Sequence, residues 1–495
     1  MAHRPHLTKS RFITGLQCHR RLWWQVKEPD APELTPEPLK QSVFDRGTRV
    51  GELARTYFPD GVLIPQVGVS LAARADATKR AIEGGARVIF EAAFLHDDFY
   101  AAIDVLTFDD VGAARIHEVK STTHLKPEHL GDVAVQTHVA RSAGIPVAAV
   151  EVMHLNSACT YPDLSNLFAH VDVTAEVEER LATISPEAKR QLAMLAGPLP
   201  DVVVGEHCSK PYPCPFFERC APEQHEHDVS TLYAVRATRV AKLRREGMDT
   251  VLDLSERTAL TEVQHRQRVA VQSSQVVVVP GLKNALDEML HAPVAYLDFE
   301  TVALAVPVWN GCHPYEQVPA QWSIHLVHAN GSVERHGWIA TAAADPRPAC
   351  ARSLASVLAR ARTVVAYNAP FERRCLEQLA ASAPDVAAPL RSAAENIRDL
   401  LPVVKKYVYH PDFGGKFGLK SVLPALVDGL SYEGLEIADG ATAALRLEQL
   451  VTNSLPATEA PERITHHLIA YCSRDTEALV ELAKSLKKLA DRADS

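Results

Sequence analysis

Residues 87–122 constrain the fold of this chain most strongly, because they contain three successive strand-like segments separated by two turns. The turns are the polar sequences His96-Asp97-Asp98 and Asp109-Asp110-Val111-Gly112. The patterns at 41–58 and 129–144 predict a helix on each side of these strands, and 146–156 predicts a further strand. A helix, antiparallel strands, a helix and another strand together predict a compact α/β core.

The second half of the chain predicts its own set of strands and helices. The apolar segment 295–304 predicts a strand, and 322–340 predicts a hairpin that turns at Asn330-Gly331. A strand at 363–368 and several helices follow, and the last helix is predicted at 464–489. Strands followed by alternating helices again indicate the α/β class.

The chain has 495 residues, which is too long for one ordinary core and predicts two or three domains. We expect a first domain at 1–225, a helical connector at 226–288 and a second domain at 289–495. The hydrophobic content of 47% is normal for a globular protein. No apolar run is long enough for a membrane span, and the N-terminus lacks the apolar region of a secretory signal, so we expect a cytoplasmic protein.

The net charge of −9 argues against nucleic-acid binding, because contacts with phosphate favour Lys and Arg. The charge is unevenly distributed, however. Residues 1–27 contain several basic side chains and no acidic one. A site that binds metal through carboxylates also makes a protein acidic, so the net charge does not exclude nucleic-acid binding.

The predicted hairpin in the first half carries a group of charged side chains. Glu118 and Lys120 are two residues apart in a strand and therefore share a face, and Asp104 lies on the preceding strand. Two carboxylates and a lysine on one face suit Mg²⁺ or Mn²⁺, which prefer oxygen ligands. The metal can polarise a phosphate and lower the pKa of bound water, and the lysine can orient that water or stabilise developing charge.

These residues resemble the RecB/Cas4-like branch of the PD-(D/E)XK nucleases, which have a restriction-endonuclease-like fold. The resemblance implies that Glu52 is a further metal ligand and that Gln136 belongs to the site. Two positions depart from the pattern of this branch: Gly51 stands where a His is common, and Ala140 where a Tyr is common. The first domain is therefore expected either to cut single-stranded DNA or to grip it without cleavage.

Three of the nine cysteines, Cys208, Cys214 and Cys220, lie close together, which in a reducing compartment is typical of metal ligands. The Cas4-like resemblance implies that Cys18 is the fourth ligand and that the group is a [4Fe–4S] cluster. Four cysteines also suit Zn²⁺, and the spacing alone does not choose between the two. His207 is an alternative ligand.

A second group of acids is predicted in the second half. Asp298 and Glu300 are two residues apart on a strand and share a face. Tyr471 and Asp475 are four residues apart and share a helix face. Together with Glu372, which follows the strand at 363–368, these acids can hold two metals roughly 3.5–4 Å apart for phosphodiester hydrolysis.

The order of these motifs resembles the DEDD exonucleases, which are DnaQ-like and have an RNase H-like fold with a mixed sheet. The resemblance implies that Asp298, Glu300, Glu372 and Asp475 bind metal and that Tyr471 orients the attacking water. This half also resembles the DUF2779-type domain in the segments Pro314–His325 and His410–Ser421. In the second of these, Lys416 and Lys420 could meet phosphate. Asp399 lies where such domains have a further Asp, but a role as a helix cap is the favoured expectation.

The combined resemblance implies a metal-dependent DNA nuclease with two sites. The DEDD half is expected to hydrolyse phosphodiesters from a 3′ end with Mg²⁺ or Mn²⁺. The Cas4-like half is expected to act on single-stranded DNA, with its iron–sulfur cluster holding the fold. An RNA substrate remains an alternative, because DEDD folds serve both polymers.

Overall fold

The computed structural model describes residues 6–221 and 225–493. These residues form two compact units, each of mixed α/β composition. The first unit comprises the described residues up to 221 together with Ala305–Tyr315, and the second comprises the remaining described residues. The segment 226–288, expected to be a connector, belongs to the second unit, because Ala270, Leu282 and Leu286 are buried in its core.

The first unit is organised around a mixed sheet. Its strands are β1 (Leu7–Thr8), β2 (Val62–Leu63), β3 (Val88–His96), β4 (Phe99–Phe108), β5 (Ala114–Lys120), β6 (Val147–Leu155) and β7 (Phe168–Asp172). Its helices are α1 (Lys9–Gln17), α2 (His19–Lys27), α3 (Pro38–Arg55), α4 (Leu71–Glu83), α5 (Pro127–Ser142), α6 (Thr174–Leu195) and α7 (Phe217–Cys220).

The sheet of the first unit has the strand order β2-β3-β4-β5-β6-β7, and β1 pairs with β4. Strands β3, β4 and β5 are antiparallel neighbours, as the three-strand pattern predicts, and the two predicted turns connect them. Strand β6 then returns parallel to β5, because α5 lies between them in the chain and acts as the crossover. The predicted helix, three strands, helix and strand are all present, but β2 and α4, which were not predicted, lie between the first helix and the three strands.

The second unit begins with two helices and a short strand, and a second sheet follows. Its strands are β8 (Val277–Val278), β9 (Val294–Val302), β10 (Val318–Val327), β11 (Val333–Ile339), β12 (Thr363–Ala366), β13 (Arg398–Asp399) and β14 (Val408–Tyr409). Its helices are α8 (Ala237–Arg245), α9 (Glu262–Ser273), α10 (Leu282–Met289), α11 (Arg347–Leu358), α12 (Pro370–Ser382), α13 (Ala387–Asn396), α14 (Leu400–Tyr407), α15 (Leu419–Leu426), α16 (Gly440–Val451) and α17 (Pro461–Ala493).

The main sheet of the second unit has the order β11-β10-β9-β12-β13. Strands β9, β10 and β11 are antiparallel, and β12 and β13 run parallel to β9, so this sheet is also mixed. The predicted hairpin at Asn330-Gly331 is confirmed as the turn between β10 and β11, with Gly331 at a φ of 84°. The strand predicted at 363–368 is observed as β12.

Helices cover both faces of this sheet. Leu297 and Phe299 of β9 point into a core formed with α11, α12 and α13. Tyr296 of β9 points to the opposite face, where it packs with α10, α14, α15 and α17. Because successive residues of a strand alternate between faces, Asp298 and Glu300 lie on the same face as Tyr296 and α17.

Within residues 6–221 and 225–493, no helix combines the length and apolar composition needed to cross a bilayer.

Candidate active sites

The second unit brings three of the predicted acids together. Asp298 and Glu300 project from β9, and α17 supplies Asp475. One carboxylate oxygen from each of the three residues lies within 4.8 Å of the other two. The structure thus places these three predicted residues in one cluster, whose spacing suits a divalent cation bound by oxygen ligands.

The three clustered carboxylates are held in an environment that opposes their ionisation. Burial, together with the neighbouring Asp475 and Glu300, raises the pKa of Asp298 well above its ordinary value. Burial and Asp475 raise the pKa of Glu300 to about 8. Burial also raises the pKa of Asp475. A bound cation would relieve both the burial cost and the mutual repulsion, so this donor set fits a metal ion.

Glu372 lies on α12, outside the three-acid cluster, but it is close enough for its charge to raise the pKa of Asp298. Its own pKa is raised to about 8, chiefly by burial. Its Oε2 atom is buried and has no hydrogen-bond partner among the described residues. A buried carboxylate oxygen without a partner is costly, and it fits a further cation ligand at this position.

The loop before Glu372 is held by Asp399. The backbone amides of Asn368 and Ala369 donate to the Asp399 carboxylate at 2.9 and 3.1 Å. The amide of Leu401 donates to the same carboxylate at 2.9 Å, which confirms that Asp399 caps α14. Asn368 has a φ of 71°, an uncommon value for a residue other than glycine. Asp399 therefore stabilises the strained backbone that places α12.

Two tyrosines and a lysine line the same cluster. The hydroxyl of Tyr432, which sequence analysis missed, donates to the Asp475 carboxylate, and Tyr471 also hydrogen-bonds to it. The Nζ atom of Lys420 lies 5.1 Å from the ring centre of Tyr432 and 5.3 Å from that of Tyr471. Its charge lowers the pKa of both Glu300 and Asp475. Of the two predicted lysines, Lys420 therefore faces the acids. No sequence signal marked Tyr432, because it lies in a loop far from the other motifs.

Helix α17 is fixed to the sheet by buried polar contacts beside Asp475. Ser323 and His325 of β10 each lie 2.8 Å from the hydroxyl of Thr476. The Nε2 atom of Gln321 donates to the backbone carbonyl of Leu468 at 2.7 Å. These contacts set the position of the helix along the strand, and with it the position of the Asp475 carboxylate.

The first unit brings Asp104, Glu118, Lys120 and Gln136 together. Lys120 Nζ donates to Glu118 Oε1 at 2.8 Å, and Gln136 donates to Glu118 Oε2. The backbone amide of Val119 donates to Asp104 Oδ2 at 2.8 Å. Burial and the charge of Glu118 raise the pKa of Asp104 to about 7. The four residues form one polar group, as predicted.

Two further residues that sequence analysis missed, Lys9 and Asp132, contact this group. Lys9 Nζ donates to Glu118 Oε1 at 2.8 Å, and Lys120 also donates to Asp132. Burial alone would raise the pKa of Glu118, but Lys120 and Lys9 outweigh it and hold that pKa below its ordinary value. The basic character of residues 1–27 was the available signal for Lys9, although it did not indicate this contact.

A cleft of about 640 Å³ opens beside this group, and Glu52 and Glu91 line it. Glu52 is exposed, and among the described residues no three acids of the cleft lie within 4.8 Å of one another. Glu91, which was not predicted, has a φ of 56° and binds Arg55 at 2.9 Å. Its strained backbone lies in the strand beside Asp104, and such strain is common at functional sites. The carboxylates of the first unit are thus less suited than those of the second to bind a cation together.

The four predicted cysteines line one small pocket. Cys18 lies between α1 and α2, and the pocket is completed by Cys208, Cys214, Cys220 and the side chains of Trp24 and Phe217. The side chain of Gln17 donates to the backbone carbonyls of His207 and Tyr212 at 2.7 and 2.6 Å, and so ties the N-terminal helices to the cysteine loop. Arg20 and Arg21 also line the pocket. Four thiols with cationic neighbours fit a group that is held by thiolates.

Comparison with known proteins gives two matches. A family described as "Domain of unknown function (DUF2779)" matches residues 295–418, which confirms the expected resemblance over that segment. The matched segment contains Asp298, Glu300 and Glu372, whereas Asp475 lies beyond it. Over 227 residues the chain is 23% identical to "Uncharacterized protein UU173" of Ureaplasma parvum serovar 3. That alignment covers 41% of this chain and 32% of the relative, so the chain spans about a third of the relative's length.

The raised pKa of Glu300 predicts how stability depends on pH when no metal is present. The folded state binds the proton up to about pH 8, whereas the unfolded chain loses it near the ordinary value of 4.5. Stability should therefore fall as pH rises from about 5 to about 8. Mn²⁺ should restore stability at the upper end, because it replaces the proton. Melting temperatures measured against pH, in EDTA and in Mn²⁺, test this.

The variant Glu300→Gln provides the comparison for this experiment, because it removes the titrating group while keeping the side-chain shape. In EDTA its melting temperature should fall less steeply with pH than that of the wild type, and Mn²⁺ should stabilise it less. An unchanged slope together with an unchanged response to Mn²⁺ would show that Glu300 does not titrate as described.

Proposed function

We propose that this protein is a divalent-metal-dependent nuclease that hydrolyses phosphodiester bonds in DNA. The observation that carries the proposal is the cluster of Asp298, Glu300 and Asp475, in which one half-buried or buried carboxylate oxygen from each residue lies within 4.8 Å of the other two. A protein gains no stability from such a cluster without a cation, because burial and repulsion both oppose it. Carboxylate clusters of this kind serve phosphoryl chemistry by binding Mg²⁺ or Mn²⁺.

The side chains around the cluster suit the steps of hydrolysis from a 3′ end. A divalent ion held by the acids would polarise the phosphate and lower the pKa of a bound water. Tyr471 and Tyr432 contact Asp475 and are placed to orient a water molecule by their hydroxyl groups. The positive charge of Lys420 lies beside the acids. It would stabilise the negative charge that develops on the phosphate oxygens during hydrolysis. Glu372 supplies a further buried carboxylate for a second ion.

The folds of the two units support this proposal at a coarse level. The mixed sheet of the second unit, covered by helices on both faces, is compatible with an RNase H-like domain. The first unit places Asp104 and Glu118 on adjacent antiparallel strands, with Gln136 on the following helix. That arrangement is compatible with a PD-(D/E)XK domain of the Cas4-like type, acting on single-stranded DNA.

A second candidate role concerns the first unit alone, and a specific observation favours it. Two lysines, Lys9 and Lys120, already compensate Glu118, and the acids of the cleft do not converge as those of the second unit do. This balance suits a clamp that grips single-stranded DNA electrostatically and does not cut it. Cleavage by the second unit is independent of which role the first unit has.

We also propose that Cys18, Cys208, Cys214 and Cys220 hold a [4Fe–4S] cluster that ties the N-terminal helices to the end of the first unit. A tetrahedral zinc site with bonds of about 2.3 Å would bring its sulfurs within about 4 Å of one another. Within the described part of the chain, no three of these sulfurs lie within 4.8 Å of one another. This spacing does not match a preformed tetrahedral zinc site, and the Cas4-like resemblance of the sequence favours the [4Fe–4S] cluster, which would hold the fold.

Cleavage of end-labelled single-stranded DNA in Mn²⁺ or Mg²⁺ tests the proposed nuclease. We expect the wild type to trim the strand stepwise from its 3′ end. Asp475→Asn should slow trimming by about 10²-fold or more, because it removes a metal-binding charge. The matched control is Glu481→Gln, a half-exposed position on the same helix, which should trim at the wild-type rate. A wild type that cleaves neither DNA nor RNA with either metal would overturn the proposal, and cleavage of RNA alone would transfer it to that polymer.

The role of the first unit is read from the same assay with the variant Glu118→Gln. If this unit cuts, a distinct set of products disappears in the variant while 3′ trimming continues. If it is a clamp, the products stay the same and the affinity for single-stranded DNA changes, as measured by fluorescence anisotropy. Asp110→Asn, in an exposed turn of the same unit, is the control and should change neither quantity.

The iron content of protein purified without oxygen tests the cysteine site. We expect about four iron and four sulfide per chain and broad visible absorption, and we expect Cys214→Ser to lose all three. The control Cys159→Ala removes a buried cysteine outside the pocket and should retain them. Stoichiometric zinc without iron in the wild type would instead support the zinc alternative.

A further inference from the structure

Two histidines and a glutamate from three neighbouring strands converge on one point of the first unit. His117 of β5 is the direct cross-strand partner of Glu151 on β6, and His170 comes from β7. The Nδ1 atoms of both histidines contact the same oxygen, Glu151 Oε1, and the distance from His170 is 3.0 Å. One donor atom from each of the three residues lies within 4.8 Å of the other two.

The outer contacts of this group are those expected around a metal centre. The Nε2 atom of His117 lies 2.9 Å from the hydroxyl of Thr107, so a proton on Nε2 leaves Nδ1 free to act as a ligand. The guanidinium of Arg115 donates to Glu151 Oε2 at 3.5 Å, on the far side of the carboxylate. The ring of Phe58 packs edge-on against His117, with ring centres 4.9 Å apart. Partners of this kind fix the tautomer and the orientation of metal-binding side chains.

The burial of the group differs between its two sides. His117 is 5% exposed and Glu151 is 9% exposed, whereas His170 is exposed. An ion at this point would therefore have two buried ligands, a third ligand at the surface, and a coordination position open to water. Zinc sites with two histidines and one glutamate, completed by water, have this composition.

We propose that His117, Glu151 and His170 bind one divalent transition-metal ion of the zinc class. Imidazole nitrogens favour such ions over Mg²⁺, which prefers oxygen ligands. The ion would join β5, β6 and β7, and so fix the edge strand β7 to the centre of the sheet. The proposal does not depend on the nuclease function.

The group is separate from the acids of the cleft in the first unit. His117 and Glu118 are consecutive residues of β5, so their side chains point to opposite faces of the sheet. None of the three residues lines the cleft that contains Asp104, Glu118 and Lys120. Substitutions at the proposed site can therefore be tested without changing the residues proposed to act on nucleic acid.

Zinc binding by the intact protein, measured by competition with a coloured chelator, tests the proposal. The variant is His170→Ala, whose exposed position leaves the core intact, and the matched control is His96→Ala, another exposed histidine of the same sheet. We expect the variant to hold about one equivalent less of tightly bound Zn²⁺ than the wild type and the control. Zn²⁺ should also raise the melting temperature of His170→Ala less than that of His96→Ala.

A second variant separates a metal centre from a simple hydrogen-bonded group. Thr107→Val keeps the shape of the side chain but removes the contact with His117 Nε2. This variant should weaken the binding of Zn²⁺ at the proposed site by about tenfold without abolishing it. If His170→Ala holds as much Zn²⁺ as His96→Ala with equal affinity, the three residues form only a hydrogen-bonded network and the proposal is overturned.

Discussion

The mutual repulsion of three clustered carboxylates, one buried and two half-buried, is the constraint on which the second unit depends. Burial and the neighbouring like charges both oppose ionisation of Asp298, Glu300 and Asp475. The pKa of each of these acids is raised as a result. The fold meets this cost by fixing α17 to β10 through the buried contacts of Thr476 with Ser323 and His325. Because a cation relieves the repulsion between carboxylates that are held close together, such a site binds a cation more strongly than separated acids would.

In the first unit, by contrast, lysine side chains compensate the charge of the central acid. Lys9 and Lys120 donate to Glu118, and these charges hold its pKa below the ordinary value. The charge of Glu118 is therefore already offset before any cation arrives, and a metal would compete with two lysines for the same carboxylate. This contrast explains why we propose hydrolysis for the second unit. For the first unit we propose either cleavage of single-stranded DNA or binding of it without cleavage.

Much of the fold follows from local patterns that a sequence displays. The three strands from β3 to β5, the hairpin at Asn330-Gly331 and the pairing of Asp298 with Glu300 depend on alternation and turn residues, which act over a few positions. The convergence of Asp475 with β9 was predictable only because its motif follows the others in order. The placement of 226–288 in the second unit was not predictable from composition, because polar helices can either pack on a core or connect two cores.

Two of the contacts that sequence analysis missed share one physical cause, which is that they join residues far apart in the chain. Lys9 meets Glu118 across 109 positions, and Tyr432 meets Asp475 across 43. Neither lysine nor tyrosine is unusual in its local sequence, so only the folded chain reveals the pair. Glu91 was missed for a different reason, because a single acid within an apolar strand carries no spacing signal.

Anomalous X-ray diffraction from crystals soaked in Mn²⁺, at a pH above the pKa of Glu300, tests the central claim most directly. The account predicts a manganese peak coordinated by Asp298, Glu300 and Asp475, and the loss of that peak in Glu300→Gln crystals soaked in the same way. An ordered site without manganese, or a peak that persists unchanged in the variant, would contradict the claim that these three carboxylates form the metal centre.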